Sequence, residues 1–184
     1  MCQESLKCDS AVLTHGRRQF LRLATLTAGV GLFSPMLPSG QAMASGKTEA
    51  LLLSCMDFRL MDDIEKYMTG RGLRDKYDHV ILAGASLGAV TDRFPAWNKT
   101  FWEHLDISID LHHIQKVILM DHRDCGAYKV ILGEDFGKTP ERETGVHTKV
   151  LRHLAKAIKE KQPKLEVEML LMALDGKVES IAAG

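Results

Sequence analysis

The sequence predicts an α/β fold with a mostly parallel central sheet of about four strands, an added C-terminal strand and flanking helices. Between residues 50 and 126, short apolar runs of strand length alternate with segments whose apolar residues recur at helical spacing. Chemically distinctive residues follow directly after two of these runs, and sites in parallel sheets are usually built where the strands end. Strands that alternate with helices imply parallel pairing through right-handed crossovers.

The first apolar run begins at residue 50 and leads into a Cys-x-Asp-x-Arg motif formed by Cys55, Asp57 and Arg59. If the chain stays extended, strand alternation places these three side chains on one side. Met56 and Phe58 then turn toward the packed interior. The motif therefore predicts a thiol, a carboxylate and a guanidinium together at the edge of the sheet.

Two helices and a second strand are predicted next. Residues 60–72 have the apolar spacing of a helix that ends at glycines. A strand over 77–83 leads into the glycine-rich turn 83–88, where the backbone can approach a ligand closely. Pro95 suits the first turn of a longer helix. The apolar residues of that helix recur at every fourth position, at Trp97, Phe101, Leu105 and Ile109. We predict that this stripe packs in the core or against another subunit.

The third strand, over 116–120, leads into a His-x-x-Cys-Gly motif formed by His122, Cys125 and Gly126. The carboxyl ends of parallel strands meet at the same edge of a sheet. This motif and the cysteine motif after the first strand can therefore converge on one metal ion.

The rest of the chain predicts a short helix over 127–132 and a long helix over 140–161, which begins with proline and an acidic first turn. A strand over 165–174, an Asp-Gly turn and a short strand over 178–181 then form a terminal hairpin.

The N-terminal region has the layout of an export signal. Arg17 and Arg18 precede an uncharged, mostly apolar stretch over 23–37, and a small-x-small cleavage pattern ends at Ala44. The arginine pair predicts a twin-arginine-type signal peptide over 1–44, export to the periplasm by the twin-arginine machinery, and one domain over 45–184. An amphipathic helix or a retained anchor is the alternative, although the stretch is short for a span of about 20 residues.

Charge and cysteine content narrow the function classes. The chain carries 24 basic and 24 acidic residues, so we expect no nucleic-acid partner. Removal of the signal peptide removes Cys2 and Cys8 and leaves only Cys55 and Cys125. In an oxidising compartment two cysteines ordinarily form a disulfide. The twin-arginine route carries folded proteins, so metal can occupy both thiolates before export.

Cys55, Cys125 and His122 offer two thiolates and one imidazole, which zinc binds tetrahedrally. Three protein ligands leave a fourth position for water, which is typical of a catalytic rather than a structural zinc site. We expect the histidines of the second strand and the following helix to be structural or solvated, namely His79, His104, His112 and His113.

The two motifs, in this order and at the ends of two predicted strands, resemble those of the β-class carbonic anhydrases over residues 50–181. The resemblance implies one Zn²⁺ per chain bound by Cys55, His122 and Cys125, with Asp57 and Arg59 as a catalytic dyad. It also implies reversible hydration of carbon dioxide to bicarbonate by a zinc-bound hydroxide. In some members of the family the aspartate instead binds the zinc until the arginine captures it.

The resemblance further implies a small-molecule substrate, a substrate pocket that includes Gly84 and Gly126, and a homodimer or larger homo-oligomer. Many members of the family carry Arg-Asn where this chain has Ile81-Leu82. We expect this departure to leave the zinc ligands intact and to alter their surroundings, the substrate channel or the subunit contacts.

Two other functions remain open from the sequence. A hydrolase on the same scaffold could act on carbonyl sulfide or carbon disulfide, because these substrates are apolar and Ile81-Leu82 is apolar. A non-catalytic protein could cycle Cys55 and Cys125 between zinc and a disulfide. We favour an enzyme because a storage or redox protein has no use for Asp57 and Arg59.

Overall fold

The structure, a computed structural model, describes residues 47–183. The predicted signal peptide over 1–44 therefore lies outside the described residues. Within 47–183, no helix combines the length and the apolar character that crossing a membrane requires.

The described chain contains five strands and five α-helices, and one or two helices separate successive members of the first four strands. They are β1 (Ala50–Cys55), α1 (Met61–Gly70), β2 (Tyr77–Leu82), α2 (Ser86–Val90), α3 (Pro95–Ile107), β3 (Lys116–His122), α4 (Gly126–Leu132), α5 (Pro140–Lys161), β4 (Glu166–Met172) and β5 (Val178–Ser180). A 3₁₀ turn, Phe58–Leu60, precedes α1, and a π-helical segment, Ser108–His112, continues α3.

The strands form one sheet in the order β2-β1-β3-β4-β5. The first four strands are parallel, and β5 pairs with β4 in the antiparallel sense. The predicted fold class is therefore confirmed, including the added C-terminal strand. Ser54 of β1 lies opposite Met120 of β3, so the residues that follow both strands emerge at the same edge.

The sheet is covered on both faces, as a parallel sheet requires. Every residue of β1 is buried, and successive leucines of that strand alternate between two apolar clusters. One cluster joins Leu51 and Leu53 to side chains of α3 and α5, and the other joins Leu52 to side chains of α1. Full burial of one leucine side chain is worth about 1.5–3 kcal/mol. This two-sided packing holds the ends of β1 and β3 in place.

The chain after Cys55 is not extended, so the prediction for Met56 and Phe58 was wrong. Their exposed fractions are 62% and 87%. The carboxylate of Asp57 accepts the backbone N–H of Arg59 and begins the 3₁₀ turn. A short polar side chain can bond its own backbone two residues on, and that local bond competes with strand geometry. The turn brings Asp57 and Arg59 together without strand alternation.

The long helix α5 has the predicted bounds, but its buried face includes polar residues. Leu151, Leu154 and Ile158 are buried, together with Glu143 and His147 on the same face. A buried polar side chain requires a hydrogen-bond partner. The partners of Glu143 and His147 lie beside the residues of the candidate site.

Candidate metal centre

Three potential metal ligands meet at the carboxyl edge of the sheet. Cys55 ends β1, His122 ends β3, and Cys125 immediately precedes α4. Their ligand atoms all lie within 4.8 Å of one another, and the two Sγ atoms are 3.9 Å apart. Tetrahedral Zn–S bonds of about 2.3 Å require sulfur atoms roughly 3.8 Å apart. The spacing of the two sulfurs therefore fits zinc.

The imidazole of His122 is oriented for binding through Nε2. Its Nδ1 lies 2.8 Å from the carbonyl oxygen of Arg123, to which it donates its proton. Nε2 is buried and has no hydrogen-bond partner among residues 47–183. A buried polar atom without a partner is costly, and a metal ion would supply the missing interaction. The donor set and this nitrogen together fit a zinc ion.

The thiols of Cys55 and Cys125 each shift the pKa of the other. The hydrogen bond from Cys125 lowers the pKa of Cys55, which also accepts the backbone N–H of Gly84 at 3.3 Å. The hydrogen bond with the Cys55 thiolate, together with burial, raises the pKa of Cys125. Loss of the proton from one thiol therefore hinders loss of the proton from the other. A metal cation replaces such a proton when it binds.

Asp57 and Arg59 form a two-pronged ion pair beside these ligands. Nε and Nη2 of Arg59 donate to Oδ1 and Oδ2 of Asp57 at 2.9 and 2.8 Å. Oδ2 of Asp57 lies 3.8 Å from Nε2 of His122. The hydrogen bonds from Arg59 lower the pKa of Asp57 to about 2, so its carboxylate stays charged at neutral pH.

A cavity of about 670 Å³ opens at this site. Its polar and backbone lining comes from Cys55, Asp57, Arg59, Asp124, Gly126 and Lys129. The remainder is largely apolar and includes Met56, Phe58, Phe94, Trp97, Val130 and Ile131. An apolar cavity with a few convergent polar groups is the usual form of a small-molecule site.

Comparison with known proteins identifies the family of this domain. Residues 45–182 match the model of a family described as "Putative carbonic anhydrase". The chain belongs to this carbonic anhydrase family. The resemblance of the two motifs to those of carbonic anhydrases is therefore confirmed at the level of this family.

Two relatives of this carbonic anhydrase domain are uncharacterized rickettsial proteins. One, from Rickettsia bellii, is 46% identical over 135 residues, which is 73% of this chain and 82% of the relative. The other, from Rickettsia conorii, is 44% identical over 135 residues, which is 73% of each chain. A solved β-carbonic anhydrase from Trichomonas vaginalis is 16% identical, with a TM-score of 0.49 over 95% of this chain and 98% of that one.

The cavity lining includes only one of the two glycines that were predicted for the substrate pocket. Gly126 lies on the cavity wall, whereas the described lining does not include Gly84, which donates its N–H to Cys55. Ile81 and Leu82 are also outside the described lining. The side chain of Ile81 is exposed, and Leu82 packs against the core.

The other histidines of the β2–α3 region lie elsewhere. His112 bonds the carboxylate of Asp78, His79 contacts the Ser54 hydroxyl, and His104 contacts a carbonyl of its own helix. Within the part of the chain that the structure describes, the three-ligand group contains none of them, nor His113.

Two aspartates beside the ligands were not predicted. Asp124, between His122 and Cys125, bonds the guanidinium of Arg59. Asp121, which precedes His122, is 1% exposed. It accepts hydrogen bonds from the Ser86 backbone, the Tyr128 hydroxyl and His147. The sequence held a signal for both aspartates, because Asp121 directly precedes His122 and Asp124 directly precedes Cys125.

Proposed function

We propose that this chain is a zinc-dependent carbonic anhydrase that interconverts carbon dioxide and bicarbonate. One observation carries the proposal. The buried Nε2 of His122, which has no hydrogen-bond partner among the described residues, lies within 4.8 Å of two cysteine sulfurs and 3.8 Å from a carboxylate held by an arginine. Membership in the carbonic anhydrase family supports the same activity.

Cys55, His122 and Cys125 would hold the zinc ion. When bound, zinc acts as a Lewis acid and lowers the pKa of a coordinated water to about 7. Neighbouring backbone groups orient and stabilise two of the ligands. The bond from His122 Nδ1 to the Arg123 carbonyl fixes the tautomer, and the N–H of Gly84 stabilises the Cys55 thiolate.

Asp57 would act as a hydrogen-bond acceptor for the reacting oxygen. Its low pKa keeps it from protonating, so it can accept an O–H and aim the lone pair of that oxygen at the substrate carbon. Arg59 binds both carboxylate oxygens and limits their rotation. A fixed acceptor needs no reorganisation when the reaction occurs.

The apolar side of the cavity would hold the substrate. Phe58, Trp97 and Val130 offer surfaces that suit an uncharged linear molecule such as carbon dioxide. Bicarbonate is charged and gains little from such surfaces, which favours its release. The same lining also suits carbonyl sulfide and carbon disulfide, so hydrolysis of these substrates is the second candidate function.

We also propose that the chain forms a homodimer or larger homo-oligomer and that it is exported to the periplasm. The exposed apolar side chains of Met56, Phe58 and Val130 around the cavity support self-association, because large apolar patches mark interaction sites. The arginine pair and the cleavage pattern at Ala44 support export.

The test is stopped-flow hydration of carbon dioxide by the purified chain, with zinc counted in the same sample and zinc-stripped protein as the control. We expect about one zinc per chain and rapid hydration that zinc restores after stripping. Full zinc without hydration, but with sulfide release from carbonyl sulfide, would support the hydrolase instead. A Cys55–Cys125 disulfide without zinc would support the redox protein.

A further inference from the structure

The guanidinium of Arg59 is held by two carboxylates rather than one. Nε and Nη2 bind Asp57, while Nη1 donates to Oδ2 of Asp124 at 3.0 Å. Nη2 also donates to the backbone carbonyl oxygen of Asp124 at 3.0 Å. Every side-chain nitrogen of Arg59 therefore donates a hydrogen bond. A planar, two-pronged contact of this kind fixes the orientation of the guanidinium in addition to the electrostatic attraction. Movement of the Arg59 guanidinium away from Asp57 would therefore also disturb its contacts with Asp124.

Asp124 is itself held firmly. Its backbone N–H donates to Oε1 of Glu143 at 2.6 Å, and Glu143 is only 4% exposed. Its φ of 54° lies in the left-handed region, which aspartate, asparagine and glycine tolerate best. Nζ of Lys129 bonds its second carboxylate oxygen, Oδ1, at 2.7 Å. Helix α5 and Lys129 together fix the backbone and side chain that receive Arg59.

The fixed position of Arg59 limits the rotation of the Asp57 carboxylate. Oδ2 of Asp57 is 3.8 Å from Nε2 of His122, so a small rotation would bring it within reach of a metal held by that nitrogen. Arg59 opposes this rotation only while its own position is fixed. The second carboxylate supplies that restraint, since Nη1 of Arg59 bonds Asp124 and not Asp57.

We propose that Asp124 is a positioning residue that anchors Arg59 and thereby keeps Asp57 off the metal and available to the substrate. The kinetic part of this inference rests on the proposed carbonic anhydrase function, whereas the anchoring itself does not. The competing explanation is that Asp124 serves only as an ion-pair partner for Lys129.

Asp135 is a matched control for Asp124. Both carboxylates bind Lys129, at 3.2 and 2.7 Å, and both side chains are 39% exposed. Of these two carboxylates, Asp124 bonds Arg59, and Asp135 has no described contact with it. Asp124→Asn and Asp135→Asn therefore remove the same charge from the same lysine, and asparagine tolerates the left-handed backbone at position 124. Asp124→Gly is a second variant that also suits this backbone, in case the first fails to fold.

The experiment measures the absorption spectrum of the cobalt(II)-loaded chain and, on the zinc-loaded chain, kcat and KM for carbon dioxide hydration. We expect Asp124→Asn to lower kcat by about 10- to 100-fold, the usual effect of an outer-shell residue at a metal site. We also expect its cobalt spectrum to shift as an Asp57 oxygen joins the metal. Asp135→Asn should stay within about twofold of the parent in kcat and keep its spectrum.

The double variant Asp57→Asn/Asp124→Asn completes the test, because removal of the Asp57 carboxylate should abolish the spectral shift. Equal effects of the two single variants, or an unchanged spectrum in Asp124→Asn and Asp124→Gly, would overturn the proposal. If the parent chain does not hydrate carbon dioxide, the proposed function fails, and the cobalt spectra still decide whether Asp124 restrains Asp57.

Discussion

Oδ2 of Asp57 lies 3.8 Å from Nε2 of His122, while Arg59 binds both oxygens of the same carboxylate. The carboxylate therefore adjoins the candidate zinc ligands but is held away from them. This placement suits an acceptor that aims a reacting oxygen, and it separates the role of Asp57 from that of the metal-binding side chains.

Asp57→Asn should retain zinc and lose activity. The substitution keeps the size of the side chain and removes its charge, so Arg59 loses its charged partner and the reacting oxygen loses a strong acceptor. We expect zinc content near that of the parent and a fall in kcat of about 100-fold or more. Metal analysis and stopped-flow hydration check this, and full activity in the variant would refute the role of Asp57.

Cys125→Ser should remove most of the bound zinc. A serine hydroxyl is a poor ligand for zinc compared with a thiolate, and the variant leaves only one cysteine and one histidine at the centre. Equilibrium dialysis against a zinc buffer measures the loss, with Asp57→Asn as the variant that keeps all three ligands. Equal zinc affinity in Cys125→Ser and the parent would contradict the ligand assignment.

Zinc affinity should rise with pH. The Cys55 thiolate and burial raise the pKa of Cys125. Burial opposes the charged form of His122, but the neighbouring Cys55 thiolate, the Arg123 carbonyl and the Asp57 carboxylate together outweigh burial and raise the pKa of His122. Both groups must lose a proton to bind metal, so a fall in pH favours the metal-free form.

Isothermal titration calorimetry in buffers of different ionisation enthalpy measures this proton release. We expect about one to two protons released per zinc at pH 7. Affinity that does not change between pH 6 and 8 would show that the ligands are already deprotonated in the metal-free chain.

Asp121→Ala should destabilise the fold. The buried carboxylate accepts hydrogen bonds from the Ser86 backbone, Tyr128 and His147, and all three donors would lose their partner. Each buried donor left without a partner costs about 1–3 kcal/mol, so we expect a total loss of about 3–5 kcal/mol. Urea unfolding of the zinc-stripped chain gives this value without a contribution from metal binding. The exposed Asp135→Ala should change stability by only about 0.5 kcal/mol or less.

Gly88→Ala should also destabilise the chain, because a Cβ at this position would lie 2.6 Å from the carbonyl oxygen of Ala83 and 3.2 Å from Leu82 Cβ. We expect a loss of about 1–3 kcal/mol. Gly145, inside α5, is the matched control, since a Cβ there meets nothing within 4 Å. Gly145→Ala should gain about 0.5–1 kcal/mol through helix propensity. Thermal unfolding compares the two, and equal shifts would rule out the steric clash.

The sequence by itself determined the sheet and the three candidate ligands. Apolar runs of strand length marked β1 and β3, and parallel strands bring the residues after them to one edge. Cys55, His122 and Cys125 could therefore be brought together from the pattern alone. The meeting of Asp57 and Arg59 was also predicted, although strand alternation was the wrong reason and a local turn is the right one.

Only the tertiary structure decided which side chains surround the ligands. Arg59 meets Asp124 across 65 positions of sequence, and His147 meets Asp121 across 26. The first contact depends on how the turns after β1 and β3 meet, and the second depends on how α5 packs against the sheet. Apolar periodicity predicts that a helix has a buried face. It does not predict which polar residues on that face form hydrogen bonds with another element. The anchoring of Arg59 and the buried network around Asp121 follow from that packing.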